Sequence, residues 1–172
     1  MSSTLCIVGI GLMGASFAMA LRGNSTIGKI IGISRSEETQ RKALQRGIVE
    51  EATTDLAEGV KDADIVVLCT PVRLLIEQIG ELGKLCKPGC VITDMGSTKT
   101  AIVQAMNALP PHLFAVGSHP MCGKETAGID VAEATLYQNA PWILTRTERT
   151  DEASFRLIKK PSRKRGREAA RD

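Results

Sequence analysis

Short apolar runs rich in β-branched residues alternate along the chain with stretches whose apolar residues recur at helical spacing. Several runs have no polar position over four or more residues, as expected for parallel strands covered on both faces. The predicted strands are Thr4–Val8, Lys29–Ile33, Asp64–Cys69, Cys90–Asp94, Ala115–Ser118 and an edge-like Pro141–Thr145. The pattern predicts one α/β domain over residues 1–149, with a doubly wound, mostly parallel sheet of the Rossmann type.

Helical segments are predicted between and after these strands. Ser36 is the expected N-cap of one helix, and Asp55–Val60 is expected to form a short helical piece. Thr150 is predicted to cap a last helix within residues 150–160. Residues 161–172 contain no large apolar residue and are rich in Lys and Arg, so a disordered basic tail is predicted there.

Composition and charge mainly exclude functions. Aromatic residues make up only 3% of the chain, which disfavours a surface that stacks nucleic-acid bases. Residues 1–150 carry 14 Lys and Arg against 15 Asp and Glu, so the overall charge of +3 belongs to the tail. No apolar run reaches about 18 residues. We therefore expect no nucleic-acid or membrane partner, and a cytoplasmic protein, or an organellar stromal one if a transit peptide has been removed.

The five cysteines indicate a reducing compartment rather than a metal site. Cys6 and Cys69 lie within predicted strands, where a free Cys behaves as a small apolar residue. Cys86 and Cys90 are four positions apart, which is not a usual zinc or redox spacing. We expect no bound metal.

The first predicted strand leads directly into a G-x-G-x-x-G turn and a helix. In such a turn the first glycine permits a tight bend, the second lets the backbone approach a pyrophosphate, and the third lets helix and strand pack closely. The alternative is a plain strand–turn–helix with incidental glycines. The predicted dinucleotide contacts are Gly9, Gly11, Leu12, Met13 and Gly14.

The second strand ends in Ser34, Arg35 and Ser36, where an NAD-selective site usually has an acidic residue. A guanidinium and hydroxyl groups suit the 2′-phosphate of NADP instead. The alternative is that Arg35 is merely solvated and that Glu37 or Glu38 takes the acidic role. The sequence therefore predicts NADP as the cofactor, with NAD less favoured.

Loops at the carboxyl ends of parallel strands line the cofactor crevice of such folds. Thr70 and Pro71 follow the third of the long apolar runs and are predicted cofactor contacts. Ser97 follows the next strand, and two interpretations stay open from its position alone. It either caps the following helix or presents its hydroxyl to the crevice.

His119 is one of only two histidines. It follows the predicted strand Ala115–Ser118, whereas His112 lies between prolines and a leucine in a polar loop. A neutral imidazole is suited to take a proton from an alcohol while hydride leaves. His119 is therefore the candidate base, and a structural hydrogen-bonding role is the alternative.

With these motifs in place, the chain resembles the prephenate/arogenate dehydrogenase family of tyrosine biosynthesis. Several ordered motifs at the expected intervals are far more specific than the glycine turn alone. The segments that carry the resemblance are Gly9–Ser16, Cys69–Val72, Asp94–Lys99, Ser118–Gly123 and Asn139–Thr145. The His119-Pro120-Met121 segment argues against a dehydrogenase of ordinary hydroxy acids.

The resemblance implies NADP-dependent oxidative decarboxylation of arogenate or prephenate by hydride transfer. It implies that His119 is the catalytic histidine and that Ser97 contacts this histidine and the reacting centre. It places Ser34 and Arg35 at the 2′-phosphate, and Gly96 is added to the predicted cofactor contacts.

The family continues into a helical domain that forms the dimer and supplies an arginine for the substrate carboxylate, and this chain has no room for it. We therefore expect a truncated or frame-shifted member, with a homodimer only if a helical domain or a partner chain completes the site. Lys124 and Arg146 are candidate substitutes for the missing cation. The alternative function is an NADP-binding module without turnover.

Overall fold

A computed structural model describes residues 1–159 as alternating strands and helices around one sheet. The strands are β1 (Ser3–Val8), β2 (Ile27–Ile33), β3 (Glu51–Thr53), β4 (Ile65–Leu68), β5 (Val91–Asp94), β6 (Phe114–Pro120) and β7 (Trp142–Arg146). The α-helices are α1 (Leu12–Leu21), α2 (Glu37–Gln45), α3 (Leu56–Val60), α4 (Val72–Leu85), α5 (Thr100–Asn107) and α6 (Glu152–Lys159). A single 3₁₀ turn, Ile129–Val131, lies between β6 and β7.

The sheet has the order β3-β2-β1-β4-β5-β6-β7. Each neighbouring pair up to β6 is parallel, and β7 pairs antiparallel with β6 at the edge. The predicted Rossmann-type sheet and its edge strand are confirmed. Sequence analysis missed β3, because this strand has only three residues and its side chains are exposed or half-buried.

Both faces of the sheet are covered, as the continuous apolar strands predicted. On one face α4 and α5 bury residues spaced one helical turn apart, among them Leu75, Ile79, Leu82, Ile102 and Met106. On the other face α1 buries Ala15, Phe17, Ala18 and Leu21 against β1 and its neighbours. The two layers fix the carboxyl ends of β1, β4, β5 and β6 along one edge of the core.

The last helix begins differently from the prediction. Asp151 caps α6, because its Oδ1 accepts a 2.7 Å hydrogen bond from the Ser154 N–H while its own N–H donates to Ser154 Oγ. Thr150 donates instead to the carbonyl of Ala115 at 2.6 Å, so its predicted capping role is wrong. The Ala115 carbonyl is within reach of Thr150 because Ala115 lies just before Val116, the first residue of β6 that pairs with β7. The predicted tail, residues 161–172, lies outside the described residues.

Candidate functional site

The glycine turn between β1 and α1 is shaped by two close contacts and one open position. Gly9 has φ +93°, and a Cβ there would lie 3.0 Å from the Thr70 methyl carbon. A Cβ at Gly14 would lie 2.0 Å from the Gly9 carbonyl oxygen. At Gly11, φ is −80° and, apart from the adjacent residues, no atom of residues 1–159 lies within 4 Å of the position a Cβ would take. Packing therefore explains Gly9 and Gly14, whereas Gly11 faces free space.

This free space lies at the N-terminus of α1, where electrostatics favour an anion. Gly11 is the N-cap and supplies no side-chain hydrogen bond, and the first turn contains no acidic residue. N–H groups in a first helical turn have no acceptor within the helix, and the helix dipole is positive there. The geometry fits a dinucleotide, whose pyrophosphate would approach the backbone at Gly11 and bind the first turn of α1.

The end of β2 presents an unengaged cation. Arg35 is exposed, and none of residues 1–159 forms a hydrogen bond or ion pair with its side chain. Ser36 Oγ accepts from the Thr39 N–H at 3.2 Å and caps α2, as predicted. Glu38 pairs with Lys42 across one helical turn. The acidic residue thus supports the helix, while Arg35 is available to a ligand.

Thr70 lies against the glycine turn because β4 neighbours β1, and Pro71 follows it in the chain. The Thr70 methyl group faces Gly9, and its hydroxyl donates to Gln78 Oε1 at 2.6 Å. Pro71 is the N-cap of α4. The structure therefore brings these two predicted cofactor contacts next to the predicted phosphate site.

The alternative role of Ser97 as a helix cap is wrong. The following helix, α5, begins at Thr100 with Lys99 as its N-cap. Ser97 is exposed, and its hydroxyl has no hydrogen-bond partner among residues 1–159. Gly96 is buried, and a Cβ there would lie 2.6 Å from Ile102 Cδ1 and 3.0 Å from Asp94 Oδ2, so a larger residue would displace these side chains.

His119 lies inside a strand rather than in the loop that was predicted. β6 extends to Pro120 because the returning strand β7 pairs with it, and His119 is opposite Ile143. His119 nevertheless lies beyond Val116, the last residue of β6 that pairs with β5. It is half-buried at the edge that carries Ser97, whereas His112 is exposed. No side chain or backbone group in residues 1–159 hydrogen-bonds to the His119 imidazole.

Sequence analysis missed a buried polar network between β5 and β6. Asp94 is fully buried and accepts hydrogen bonds from the N–H groups of Gly96 and Ser118, and Lys99 forms an ion pair with it. Burial lowers the pKa of Lys99, and the Asp94 carboxylate opposes that shift. The available signal was an acidic residue at the carboxyl end of an apolar strand with a lysine five positions later.

An aromatic cluster, also missed, holds the segment after β6 against α1. Tyr137 packs edge-on against Phe17 with ring centroids 5.8 Å apart, and its ring lies 5.2 Å from that of Trp142. The Tyr137 hydroxyl donates to the Met13 carbonyl at 2.6 Å, and burial raises the pKa of this hydroxyl. The cluster therefore fixes the segment that follows His119 onto the helix of the glycine turn.

The two candidate substitutes for a substrate-binding cation are engaged elsewhere. Lys124 donates to the Val131 carbonyl at 3.0 Å and pairs with Glu133. Arg146 pairs with Glu152 at 2.7 Å, and its guanidinium lies 4.0 Å from the Phe155 ring centroid. Both cations therefore already pair with an acidic side chain within residues 1–159.

A cavity of about 180 Å³ lies on the α1 face of the sheet, between α1 and α6. Its lining includes Phe17, Trp142 and Leu157 but no charged residue, so it does not suit a pyrophosphate. Within residues 1–159, no helix is long and apolar enough to span a bilayer. No three His, Cys, Asp or Glu residues of that range are grouped to hold a metal ion.

Comparisons with known proteins agree with this geometry. Residues 17–168 match the family model described as prephenate dehydrogenase, nucleotide-binding domain. The chain is 35% identical to the prephenate dehydrogenase of Bacillus subtilis (strain 168), an alignment that covers 92% of this chain and 43% of that protein.

Two solved structures are similar in fold and sequence. Synechocystis arogenate dehydrogenase superposes with a TM-score of 0.84 at 37% identity, covering 92% of this chain and 55% of that one. Prephenate dehydrogenase from A. aeolicus, in complex with hydroxyphenyl propionate and NAD+, superposes with a TM-score of 0.83 at 33% identity, covering 94% and 57%. The chain thus spans about half the length of the relatives it matches.

Proposed function

The chain belongs to the prephenate dehydrogenase family through its nucleotide-binding domain, and from this premise we propose that it oxidises arogenate or prephenate with NADP. The observation that supports this most directly is the arrangement of one edge of the sheet. A glycine turn open at Gly11 lies on that edge, together with Ser97 and His119, whose side chains bind nothing within residues 1–159.

In the proposed mechanism the first turn of α1 would hold the pyrophosphate of the cofactor at the edge of the sheet that carries Ser97 and His119. The cofactor, when bound, accepts the hydride. The His119 imidazole accepts the proton of the ring hydroxyl as hydride leaves the carbon that carries this hydroxyl. Ser97 orients that hydroxyl. Loss of carbon dioxide then yields an aromatic ring, which makes the step effectively irreversible.

Whether the chain prefers NADP is tested at Arg35. Its guanidinium, exposed and unpaired within residues 1–159, supports binding of a 2′-phosphate, and charge-assisted hydrogen bonds of this kind contribute about 1.5–3 kcal/mol each. We expect Arg35→Ala to weaken NADP binding about 10- to 100-fold while leaving the affinity for NAD nearly unchanged. Calorimetric titration with both nucleotides measures the ratio of the NADP affinity to the NAD affinity. Arg41→Ala, on the exposed surface of α2, is the matched control. An unchanged ratio in Arg35→Ala would exclude this role.

A second candidate function is an NADP-binding module without turnover. The observation that favours it is that both candidate cations pair with acidic neighbours within residues 1–159, Lys124 with Glu133 and Arg146 with Glu152. In this case the glycine turn and Arg35 bind the cofactor, while the substrate site is not sufficient for turnover.

Turnover by the purified chain separates the two functions. We expect NADP to bind and NADPH absorbance to rise with arogenate or with prephenate, whichever is the substrate. NADP binding without NADPH formation from either compound supports the module. A chain that binds neither nucleotide contradicts both proposals.

A further inference from the structure

The Asp94 carboxylate connects the two segments that carry the predicted catalytic residues. It is fully buried at the end of β5. Its Oδ1 accepts a 3.0 Å hydrogen bond from the N–H of Ser118, the residue before His119. Its Oδ2 accepts a 2.8 Å hydrogen bond from the N–H of Gly96, the residue before Ser97. One side chain therefore holds the backbone immediately ahead of both residues.

The strand register explains why a side chain is needed at this point. Thr93 and Val116 form the last paired positions of β5 and β6, so Asp94 lies in line with Gly117 just past the ladder. Side chains alternate between faces along a strand, which places His119 on the same face as Gly117. The Asp94 carboxylate replaces the missing ladder hydrogen bonds between the diverging strand ends.

Lys99 supplies the positive charge that the buried carboxylate requires. Its ammonium pairs with Asp94, and only 18% of its side chain is exposed. A Cβ on Gly117 would lie 3.5 Å from Lys99 Cδ, so the lysine stem lies over β6 two residues before His119. Removing one member of such a buried pair leaves the other charge uncompensated.

We propose that Asp94, with Lys99 as its counter-ion, is a positioning residue that sets the separation between Ser97 and His119. The inference rests on the proposed function, in which those two side chains meet the substrate. The Asp94 carboxylate itself lies below them, bonded to backbone and to Lys99, and does not contact the reacting atoms.

The substitution Asp94→Asn tests the proposal. The new amide oxygen can still accept a hydrogen bond from one of the two backbone N–H groups. The other N–H group then faces the amide nitrogen, which donates hydrogen bonds and cannot accept one. Asp64→Asn is the matched control. Asp64 also accepts from a backbone N–H, that of Thr4 at 2.8 Å, and pairs with Lys87, but it lies at the opposite end of the sheet, just before β4.

In the turnover assay we expect kcat to fall about 10- to 100-fold in Asp94→Asn, because displacement of reacting groups by about 1 Å has effects of this size. The KM for NADP should change much less than kcat, since the glycine turn between β1 and α1 is not altered, although Asp94 also holds the N–H of Gly96. Asp64→Asn should leave both constants unchanged. If Asp94→Asn lowers kcat no more than Asp64→Asn, or raises the KM for NADP in parallel, the positioning role is overturned.

A second measurement does not depend on turnover. The chain has two histidines, so two sets of imidazole signals are expected in NMR spectra. The set that disappears in His112→Gln belongs to His112. Asp94→Asn should move the His119 signals and leave those of the exposed His112 in place, whereas Asp64→Asn should move neither. If the unsubstituted chain turns over neither substrate, the proposed function fails. In that case the positioning role is supported only if Asp94→Asn moves the His119 signals and not those of His112. Unchanged His119 signals in Asp94→Asn overturn it.

A second pair of variants covers the case in which Asp94→Asn does not fold. Lys99→Arg keeps the positive charge beside Asp94, whereas Lys99→Met removes it but keeps the apolar stem. We expect Lys99→Met to lower kcat and to move the His119 signals, and Lys99→Arg to restore much of both. Equal behaviour of the two variants overturns the role of the ion pair.

Discussion

Replacement of His119 by Gln is expected to reduce NADPH formation about 100- to 10,000-fold, the usual contribution of a positioned general base. The imidazole is half-buried at the carboxyl edge of the sheet and has no hydrogen-bond partner within residues 1–159, so it is free to accept a substrate proton. Glutamine has a similar size but no basic nitrogen at neutral pH. Initial rates with saturating NADP and substrate provide the measurement.

His112→Gln is the matched control for this prediction. It removes the other histidine of the chain, which is exposed in the connection between α5 and β6. Its rate should equal that of the unsubstituted chain, and NADP affinity should be unchanged in both variants. A His119→Gln chain that turns over at the rate of His112→Gln would exclude His119 as the base.

Replacement of Gly11 by Asn is expected to separate cofactor binding from stability. The φ of −80° suits any residue, the space beside Gly11 is open, and Asn is among the best N-cap residues. Stability should therefore stay equal or rise slightly. NADP affinity should fall about 100-fold or more, because the new side chain occupies the approach of the pyrophosphate and removes at least two charge-assisted hydrogen bonds of about 1.5 kcal/mol each.

Gly14→Ala provides the contrast, since its Cβ would lie 2.0 Å from the Gly9 carbonyl oxygen. The free energy of unfolding of this variant should fall by about 3 kcal/mol, which is the upper end of the usual range for overpacking a buried position. Thermal unfolding and NADP titration of both variants are the measurements. If Gly11→Asn binds NADP as tightly as the unsubstituted chain, the pyrophosphate does not bind at this turn.

The sequence by itself determined the sheet, most of its helices and the edge of the sheet at which the candidate residues meet. Continuous apolar runs such as Val66–Leu68 require cover on both faces, and covered parallel strands place their carboxyl ends at one edge. The glycine turn and Ser36 act through local backbone geometry, so a short stretch of sequence is sufficient to predict them. The three-residue strand β3 escaped prediction because it forms only by pairing with β2.

Only the tertiary structure decided which polar side chains are engaged. Whether His119 lies in a loop or a strand depends on β7, more than twenty residues away, and Thr150 leaves the helix N-terminus for a carbonyl of β6. From the local sequence Asp94 is only an acidic residue at the end of a strand. In the structure it is fully buried beside β6, and its carboxylate connects Gly96 to Ser118. Hydrophobic periodicity records which face of an element is buried. The partner of a buried polar atom is set by the packing of distant segments, because desolvation makes such an atom bind whichever donor or acceptor the fold brings near.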